Sequence, residues 1–149
     1  MDEIDVKLLQ LLSKDSSMSA TEITTQVNLS IPAVNKRIAK LKSSGVIKSY
    51  TIQVNPKKIE KNVLAFIMVV LNQFSGVDDF LKIVKLDPDM IECHAISGEY
   101  DYLLKVYAKD IEELEDKLVA LKVAKGVAKS NTLFSLCEHK HLSGPIPRS

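Results

Sequence analysis

The sequence predicts an α+β fold in two parts, an N-terminal helix-turn-helix domain followed by a C-terminal βαββαβ domain of the ferredoxin-like kind. Up to Gly45 the apolar residues recur with the period of an α-helix, and beyond it most of them fall in short runs rich in β-branched residues. The charge also divides, because residues 1–61 carry ten basic and six acidic side chains and residues 62–149 carry ten and thirteen. This asymmetry favours a polyanionic partner for the first part.

The composition is that of a globular protein that can bury a core without a disulfide or metal. The chain has 149 residues, 46% of them hydrophobic and 26% charged. Its two cysteines, Cys93 and Cys137, form no disulfide framework and suit a reducing cytoplasm. The start, "MDEID", lacks the pattern of a secretory signal, and the longest apolar run has nine residues. We therefore expect a cytoplasmic protein with no membrane partner and no cofactor.

Three short helices are expected within the first 45 residues. Ser19 and Glu22 form an S-x-x-E capping box for the second helix, Ser30 can cap the third, and Gly45 is a natural stop. The few residues between the second and third helices are typical of a helix-turn-helix unit. The expected core stripes are Ile4, Leu8, Leu11 and Leu12, then Ala20, Ile23 and Val27, then Ile31, Val34, Ile38 and Leu41.

The outward face of the third helix, in "SIPAVNKRIAKL", carries small residues and cations but no carboxylate. A helix that enters a DNA major groove needs small residues near the base edges and cations near the phosphates. We therefore predict double-stranded DNA as a partner, although a solvated basic face is the alternative, and Arg37 could instead pair internally. The candidate DNA-binding residues are Ser30, Ile31, Pro32, Ala33, Asn35 and Lys36 near the bases, and Arg37, Lys40 and Lys42 near the phosphates.

The second part is expected to begin after a strand and a linker. The segment "VIKSYTIQV", residues 46–54, reads as a strand, and "NPKKIEKN" interrupts the pattern as a linker. The expected domains are residues 1–50, a strand and linker at 51–61, a domain at 62–140, and a polar tail at 141–149.

The order strand, helix, strand, strand, helix, strand follows from Asn62 onward. Ser75 with Asp78, and Asp110 with Glu113, are the expected helix caps, and Gly126 is a stop. The predicted strands are "VLAFIMVVL", "MIECHAI", "YLLKVYA" and one within "VAKSNTLFSLCE"; the helical stripes are Val77, Phe80, Leu81 and Val84, then Ile111, Leu114, Leu118 and Leu121.

The first strand of this domain predicts a dimer. Both helices of such a fold cover the same face of the sheet, yet Val63–Leu71 is apolar at odd and even positions alike. The helix-free face therefore needs a cover, and the same face of a second copy is the simplest one.

Four segments give the chain a resemblance to the Lrp/AsnC, or feast/famine, family of transcriptional regulators. They are "IDVKLLQLLSKDSSMSATEI", "LSIPAVNKRIAKLKSSGVIKSYTIQVNP", "SGEYDYLLKV" and "GVAKSNTLFSL", in the order and spacing of the family. The resemblance implies a winged-type helix-turn-helix domain joined to an effector domain. It also implies dimers that commonly assemble into octamers, frequent self-regulation, and a small effector, most often an amino acid.

The segment "SGEYDY" between the two middle strands is the candidate effector site. The segment alone predicts a hairpin turn in which Gly98 adopts a positive φ and the acidic side chains are solvated. The resemblance implies that its G-x-x-D pattern lines an effector site at a subunit interface. Asp101 could then bind the effector's ammonium group and backbone N–H groups its carboxylate. The candidate residues are Ser97, Gly98, Tyr100, Asp101 and Thr132.

Three other readings receive less support. In "CEHKH", Cys137, His139 and His141 alternate, but no fourth metal ligand is near, so a polar tail is preferred. Some Lrp-like proteins decarboxylate haem precursors, but such a site needs cations for the tetrapyrrole carboxylates, and the C-terminal half has one arginine, Arg148, and one strand histidine, His94. An effector sensor without DNA binding is disfavoured by the intact basic helix. We expect no catalytic residues.

Overall fold

The computed structural model describes residues 1–72, 76–124 and 126–148. The chain forms two compact units. The N-terminal unit contains Met1–Gln53 together with the segment Lys140–Ser149, and the C-terminal unit contains Val54–His139. Within the described residues, no helix is long and apolar enough to span a membrane.

The N-terminal unit contains three helices, α1 (Glu3–Lys14), α2 (Ala20–Val27) and α3 (Ile31–Ser43). Asp2 and Asp5 form a capping box on α1, and Ser19 and Glu22 form the predicted one on α2. The turn between α2 and α3 is short because Asn28 caps α2 in the left-handed conformation, with φ of 53°. The core of the unit consists of Leu8, Leu11, Ile23, Val34 and Leu41, all buried.

The strand predicted over residues 46–54 is not present, so that prediction was wrong. No described residue between Ser44 and Asn55 has strand conformation, and no strand pairs with this segment. Ile52 is 81% exposed, and Val46, Tyr50 and Val54 are also exposed. β-branched residues favour a strand only where a neighbouring backbone offers hydrogen bonds.

The segment at residues 140–148 is held to the N-terminal unit by two hydrogen bonds. The Gln10 side chain of α1 donates to the carbonyl oxygen of Pro147 at 3.3 Å, and the Gln53 side chain donates to the Ser143 hydroxyl at 2.7 Å. We describe these residues with that unit because their contacts lie there.

The C-terminal unit begins with a short 3-10 helix, Pro56–Ile59, and continues as a four-stranded antiparallel sheet with two helices. The strand order is β2-β3-β1-β4. The elements are β1 (Val63–Leu71), α4 (Val77–Leu86), β2 (Met90–Ala95), β3 (Tyr102–Ala108), α5 (Ile111–Val123) and β4 (Val127–Phe134). This order is the predicted βαββαβ arrangement.

One face of the sheet forms the core with the two helices. Ala65, Ile67 and Val69 of β1 are buried there against a cluster that includes Phe80 of α4 and Leu114 of α5. Asp110 caps α5 as predicted, and Gly76 caps α4 without a side-chain hydrogen bond. Ser75, the cap predicted for α4, lies outside the described residues.

Two predicted core residues are on the surface instead. Ile31 is 44% exposed and Ile111 is 58% exposed. Each is the first residue of its helix, α3 or α5. Side chains on a helix tilt toward its N-terminus, so a first-turn side chain extends past the end of the core.

An ion-pair cluster links the segment before β1 to the α4–β2 turn and to α5. Lys61 Nζ lies 2.7 Å from Asp89 and 3.0 Å from Glu113, and Lys117 Nζ lies 2.8 Å from Asp87 and 3.0 Å from Asp89. These side chains are two-thirds or more buried, so water screens the pairs less than it screens surface pairs. The lysines therefore neutralise carboxylates that the fold has partly removed from water.

The other face of the sheet carries no helix. The register places the side chains of β1 that alternate with the core residues on this open face, next to residues of β3 and β4. It is apolar at its centre and polar at its edges. The open face comprises Leu64, Phe66, Met68 and Val70 of β1, Leu103, Lys105 and Tyr107 of β3, Lys129, Asn131 and Leu133 of β4, and Glu92 and His94 of β2.

Candidate nucleic-acid interface and ligand site

Helix α3 is anchored at its start and along one side. The Ser30 hydroxyl accepts a hydrogen bond from the N–H of Ala33 at 3.4 Å, and Pro32 stands in the first turn, where a missing N–H costs nothing. Val34 and Leu41 are buried against the other helices, with Ile38 packed at the edge. Burial of this stripe fixes which side of α3 faces outward.

The outward side of α3 is exposed and carries unpaired cations. In the described part of the chain, no carboxylate lies within ion-pair distance of Lys36 or Lys40. Lys42 Nζ lies 4.5 Å from the centroid of the Tyr50 ring, within cation–π range. The exposed candidates are Ser30, Ile31, Pro32, Asn35, Lys36, Lys40 and Lys42, and Ala33 is half-buried.

Arg37 is used within the N-terminal unit. Its Nη1 lies 2.7 Å from Asp2 and 2.8 Å from Asp5, both at the start of α1. Burial of Asp5 raises the pKa of its carboxyl group, but the hydrogen bonds from Arg37 and from the N–H of Asp2 outweigh this and lower it. This is the internal pairing that the sequence leaves open, and it neutralises Arg37 with two carboxylates of its own unit.

The loop Ser97–Asp101 is fixed to the end of β1. Gly98 has a φ of 119°, which favours glycine. The N–H of Asp101 donates to the carbonyl of Val69 at 2.9 Å, and the Asp101 carboxylate accepts from the N–H of Leu71 at 2.7 Å through Oδ2. The second carboxylate oxygen, Oδ1, accepts no hydrogen bond from a residue that the structure describes.

Three N–H groups of this loop are also available. Those of Gly98, Glu99 and Tyr100 make no hydrogen bond to another described residue. Backbone N–H groups that are not used by the fold can bind an anion, as consecutive N–H groups do in anion-binding turns. The loop thus presents an acceptor and several donors side by side.

Lys129 is a residue of this region that the sequence reasoning missed. Its Nζ lies 5.5 Å from the centroid of the Tyr100 ring. The register places it opposite Val70 at the end of β1, on the open face of the sheet. The predicted βαββαβ topology does not give the register between β4 and β1, so the position of Lys129 near this loop is known only from the structure.

Thr132 lies apart from the loop. It pairs with Ile67, whose side chain is buried beneath the helices, so Thr132 faces the helical side of the sheet. Asp101 reaches Val69, which pairs with Ser130 two residues earlier in β4. The structure therefore brings together Gly98, Tyr100 and Asp101 with Lys129, while Ser97 is an exposed residue of the same loop.

No metal centre is formed by the described residues. No group of three or more His, Cys, Asp or Glu side chains within residues 1–72, 76–124 and 126–148 is arranged to hold a metal ion. Cys137 is exposed, and burial raises the pKa of the half-buried Cys93 thiol.

Comparison with known proteins agrees with both units. The Lrp/AsnC ligand binding domain matches residues 64–145, and a winged helix-turn-helix DNA-binding domain matches residues 1–48. The HTH-type transcriptional regulator FL11 of Pyrococcus furiosus is 34% identical over 140 residues, which are 94% of this chain and 92% of the relative. The glutamate uptake regulatory protein of Zymomonas mobilis is 32% identical over 152 residues, which cover 100% of this chain and 93% of the relative.

Solved structures show the same fold. A transcriptional regulator from Neisseria meningitidis, solved as a complex with L-Met, has a TM-score of 0.92 at 28% identity and covers 96% of this chain and 94% of its own. LrpC of Bacillus subtilis has a TM-score of 0.86 at 28% identity, with 94% and 97% covered. The predicted fold class, a winged helix-turn-helix domain followed by a ferredoxin-like domain, is confirmed.

Proposed function

The chain belongs to the Lrp/AsnC family, and from this premise we propose that α3 is the helix through which it binds DNA to regulate transcription. The observation that carries the proposal is the exposed side of α3, which has no acid and has cations with no described partner. Ile31, Pro32, Ala33 and Asn35 are small or apolar enough to approach base edges. Lys36, Lys40 and Lys42 supply phosphate contacts. Ser30 caps the N-terminal end of α3, which is the end that enters the groove.

Binding to DNA tests this proposal. Fluorescence anisotropy would compare DNA from upstream of the protein's own gene with scrambled DNA of equal length, at about 50 and about 200 mM salt. Tight binding that prefers the native sequence is expected. Equal and steeply salt-dependent binding to both DNAs would contradict sequence-specific regulation by that site, and no binding to either would contradict the role of α3.

We also propose that the loop Ser97–Asp101 binds a small amino acid-like effector. The Asp101 Oδ1 atom would accept from the α-ammonium group, and the unused N–H groups of Gly98, Glu99 and Tyr100 would bind the α-carboxylate. The complex of the Neisseria relative with L-Met supports an amino acid ligand in this fold. Thr132 has less support as a contact, since its side chain is on the helical side of the sheet. Calorimetry across the twenty amino acids, with no heat for any of them, would contradict an effector.

A second copy of the chain is the proposed cover for the open face of the sheet. The side chains at its centre, such as Phe66 and Met68, are only half-buried in the single chain, and Leu133 is 51% exposed. A C2 arrangement would bury the same patch on both subunits. Light scattering is expected to give at least the mass of a dimer, with an octamer as a further assembly, and a monomer at micromolar concentration would refute the dimer.

The proposal includes no catalytic step and takes the protein to act in the cytoplasm. The names of the relatives, which are those of transcriptional regulators, support the first point. Two alternative functions, a tetrapyrrole decarboxylase and an effector sensor without DNA binding, are not favoured by the charge distribution. The cations are concentrated on α3 and around residues 36–61.

A further inference from the structure

We infer that Lys129 selects an effector with an acidic side chain, such as L-glutamate or L-aspartate. The inference rests on the proposed effector site in the loop Ser97–Asp101 and adds to it the chemical class of the ligand. Two observations support it. The loop already offers partners for the groups that all α-amino acids share, and Lys129 lies beside the loop as an additional cation.

The loop alone can satisfy the groups that all α-amino acids share. An α-ammonium group needs an anionic acceptor, and Asp101 has one carboxylate oxygen bonded to the N–H of Leu71 and a second oxygen that no described residue contacts by a hydrogen bond. An α-carboxylate needs donors, and the N–H groups of residues 98–100 have no described partner. The α-ammonium and α-carboxylate groups of the ligand can therefore be bound without a further cation.

Lys129 is a cation that is not needed to bind these two shared groups. No carboxylate of a described residue forms an ion pair with its Nζ, and Glu99, the acid of the same loop, is not paired with it. This differs from Lys105, its counterpart across the open face, which lies 3.5 Å from Glu92. A cation that the fold does not neutralise can bind a second anion on the ligand.

The Tyr100 ring restricts where this cation can be. The Lys129 side chain is exposed, and its Nζ lies 5.5 Å from the ring centroid, so cation–π attraction favours a position of the ammonium near the loop. Tyr100 directly precedes Asp101, so the residue that contacts Lys129 is the chain neighbour of the proposed acceptor for the ligand's ammonium group. An amide of the same shape, such as glutamine, would gain less from Lys129 than glutamate.

The experiment compares matched ligands on the full chain. Isothermal calorimetry would measure L-glutamate against L-glutamine, and L-aspartate against L-asparagine, because each pair differs by charge at nearly constant shape. The acid is expected to bind about three- to tenfold more tightly than its amide in the wild-type protein. Lys129→Met should remove this preference while leaving the affinity for the amide unchanged, and Lys129→Arg should retain it. Lys122→Met, at an exposed position of α5, is the control.

Each result separates this inference from the proposed function. If glutamine binds as tightly as glutamate in the wild-type protein, the inference is overturned and the effector site stands. If Lys129→Met weakens acid and amide equally, Lys129 serves the shared α-carboxylate and the assignment to the side chain is wrong. If no amino acid binds, the effector part of the proposed function fails, whereas the anisotropy measurement still judges DNA binding. Circular dichroism of each variant verifies folding.

Discussion

Three lysines of the C-terminal unit and two lysines on α3 of the N-terminal unit differ in whether a carboxylate neutralises them. In the C-terminal unit Lys61, Lys105 and Lys117 each lie within ion-pair distance of at least one carboxylate. On α3 of the N-terminal unit, Lys36 and Lys40 have no such partner among the described residues. Removing one partner of a partly buried pair leaves an uncompensated charge, whereas a charge without a partner in the fold is available to an external anion. The comparison thus separates lysines that are neutralised within their own unit from lysines of α3 that have no described partner.

The largest effect is expected from removing the unpaired lysines of α3. The double variant Lys36→Ala with Lys40→Ala should weaken DNA binding by roughly 10- to 100-fold and reduce the salt dependence by about two ions, because two phosphate contacts are lost. Anisotropy titrations over a salt series measure both quantities. The pair Lys82→Ala with Lys85→Ala on α4, also exposed, is the control. An equal loss in the control would mean that net charge, and not α3, determines binding.

A smaller effect is expected from breaking the paired cluster, and it should depend on pH. Burial raises the pKa of Asp89, but hydrogen bonds from Lys61 and Lys117 outweigh it, so that the pKa is lowered from 3.8. Since the folded pKa is depressed, this stabilisation is complete above the ordinary value and disappears as pH falls through the lowered one. Lys117→Met should cost about 1–3 kcal/mol of unfolding free energy at pH 7 and less in acid.

Urea unfolding of the full chain at pH 7, 5, 4 and 3 measures this dependence. Lys122→Met on the exposed side of α5 should stay within about 0.5 kcal/mol of the wild type. DNA binding by Lys117→Met should keep the wild-type salt dependence. A loss that is the same at every pH would show that packing of the lysine stem, and not its charge, is responsible.

The smallest effect is expected at Arg37. This residue tests whether a cation of α3 that is paired within the fold contributes to DNA binding. It lies on α3 but is paired with Asp2 and Asp5, so Arg37→Met should change DNA affinity less than about threefold and leave the salt dependence unchanged. Lys36→Ala alone, the neighbouring position, should reduce the salt dependence by about one ion. A similar reduction for Arg37→Met would show that Arg37 exchanges its carboxylates for a phosphate when DNA is bound.

Local signals predicted much of the fold. Ser19, Ser30 and Asp110 cap the helices that they were expected to begin, because a capping side chain bonds to a backbone group only three residues away. The period of the apolar residues likewise indicated which elements are helices and which are strands. Both signals are short-range and need no knowledge of the remaining chain.

The features that the sequence missed or left open are those that depend on distant residues. Residues 46–54 have the composition of a strand but no strand partner, and the pairing of Arg37 requires α1 to lie across α3. Lys129 comes next to Tyr100 only because β4 joins the sheet beside β1. The sequence predicted the order of the helices and strands but not how they pack against one another. Contacts between side chains of distant elements could therefore not be predicted.

The segment at residues 140–148 makes the ligand-binding unit an insertion within the DNA-binding one. The chain leaves the N-terminal unit at Gln53 and returns to it at Lys140. During translation, the residues that bond to Gln10 and Gln53 emerge only after the whole sheet has been made. A chain cut short within or just after the sheet would contain helices α1, α2 and α3 but would lack the segment that bonds to Gln10 and Gln53.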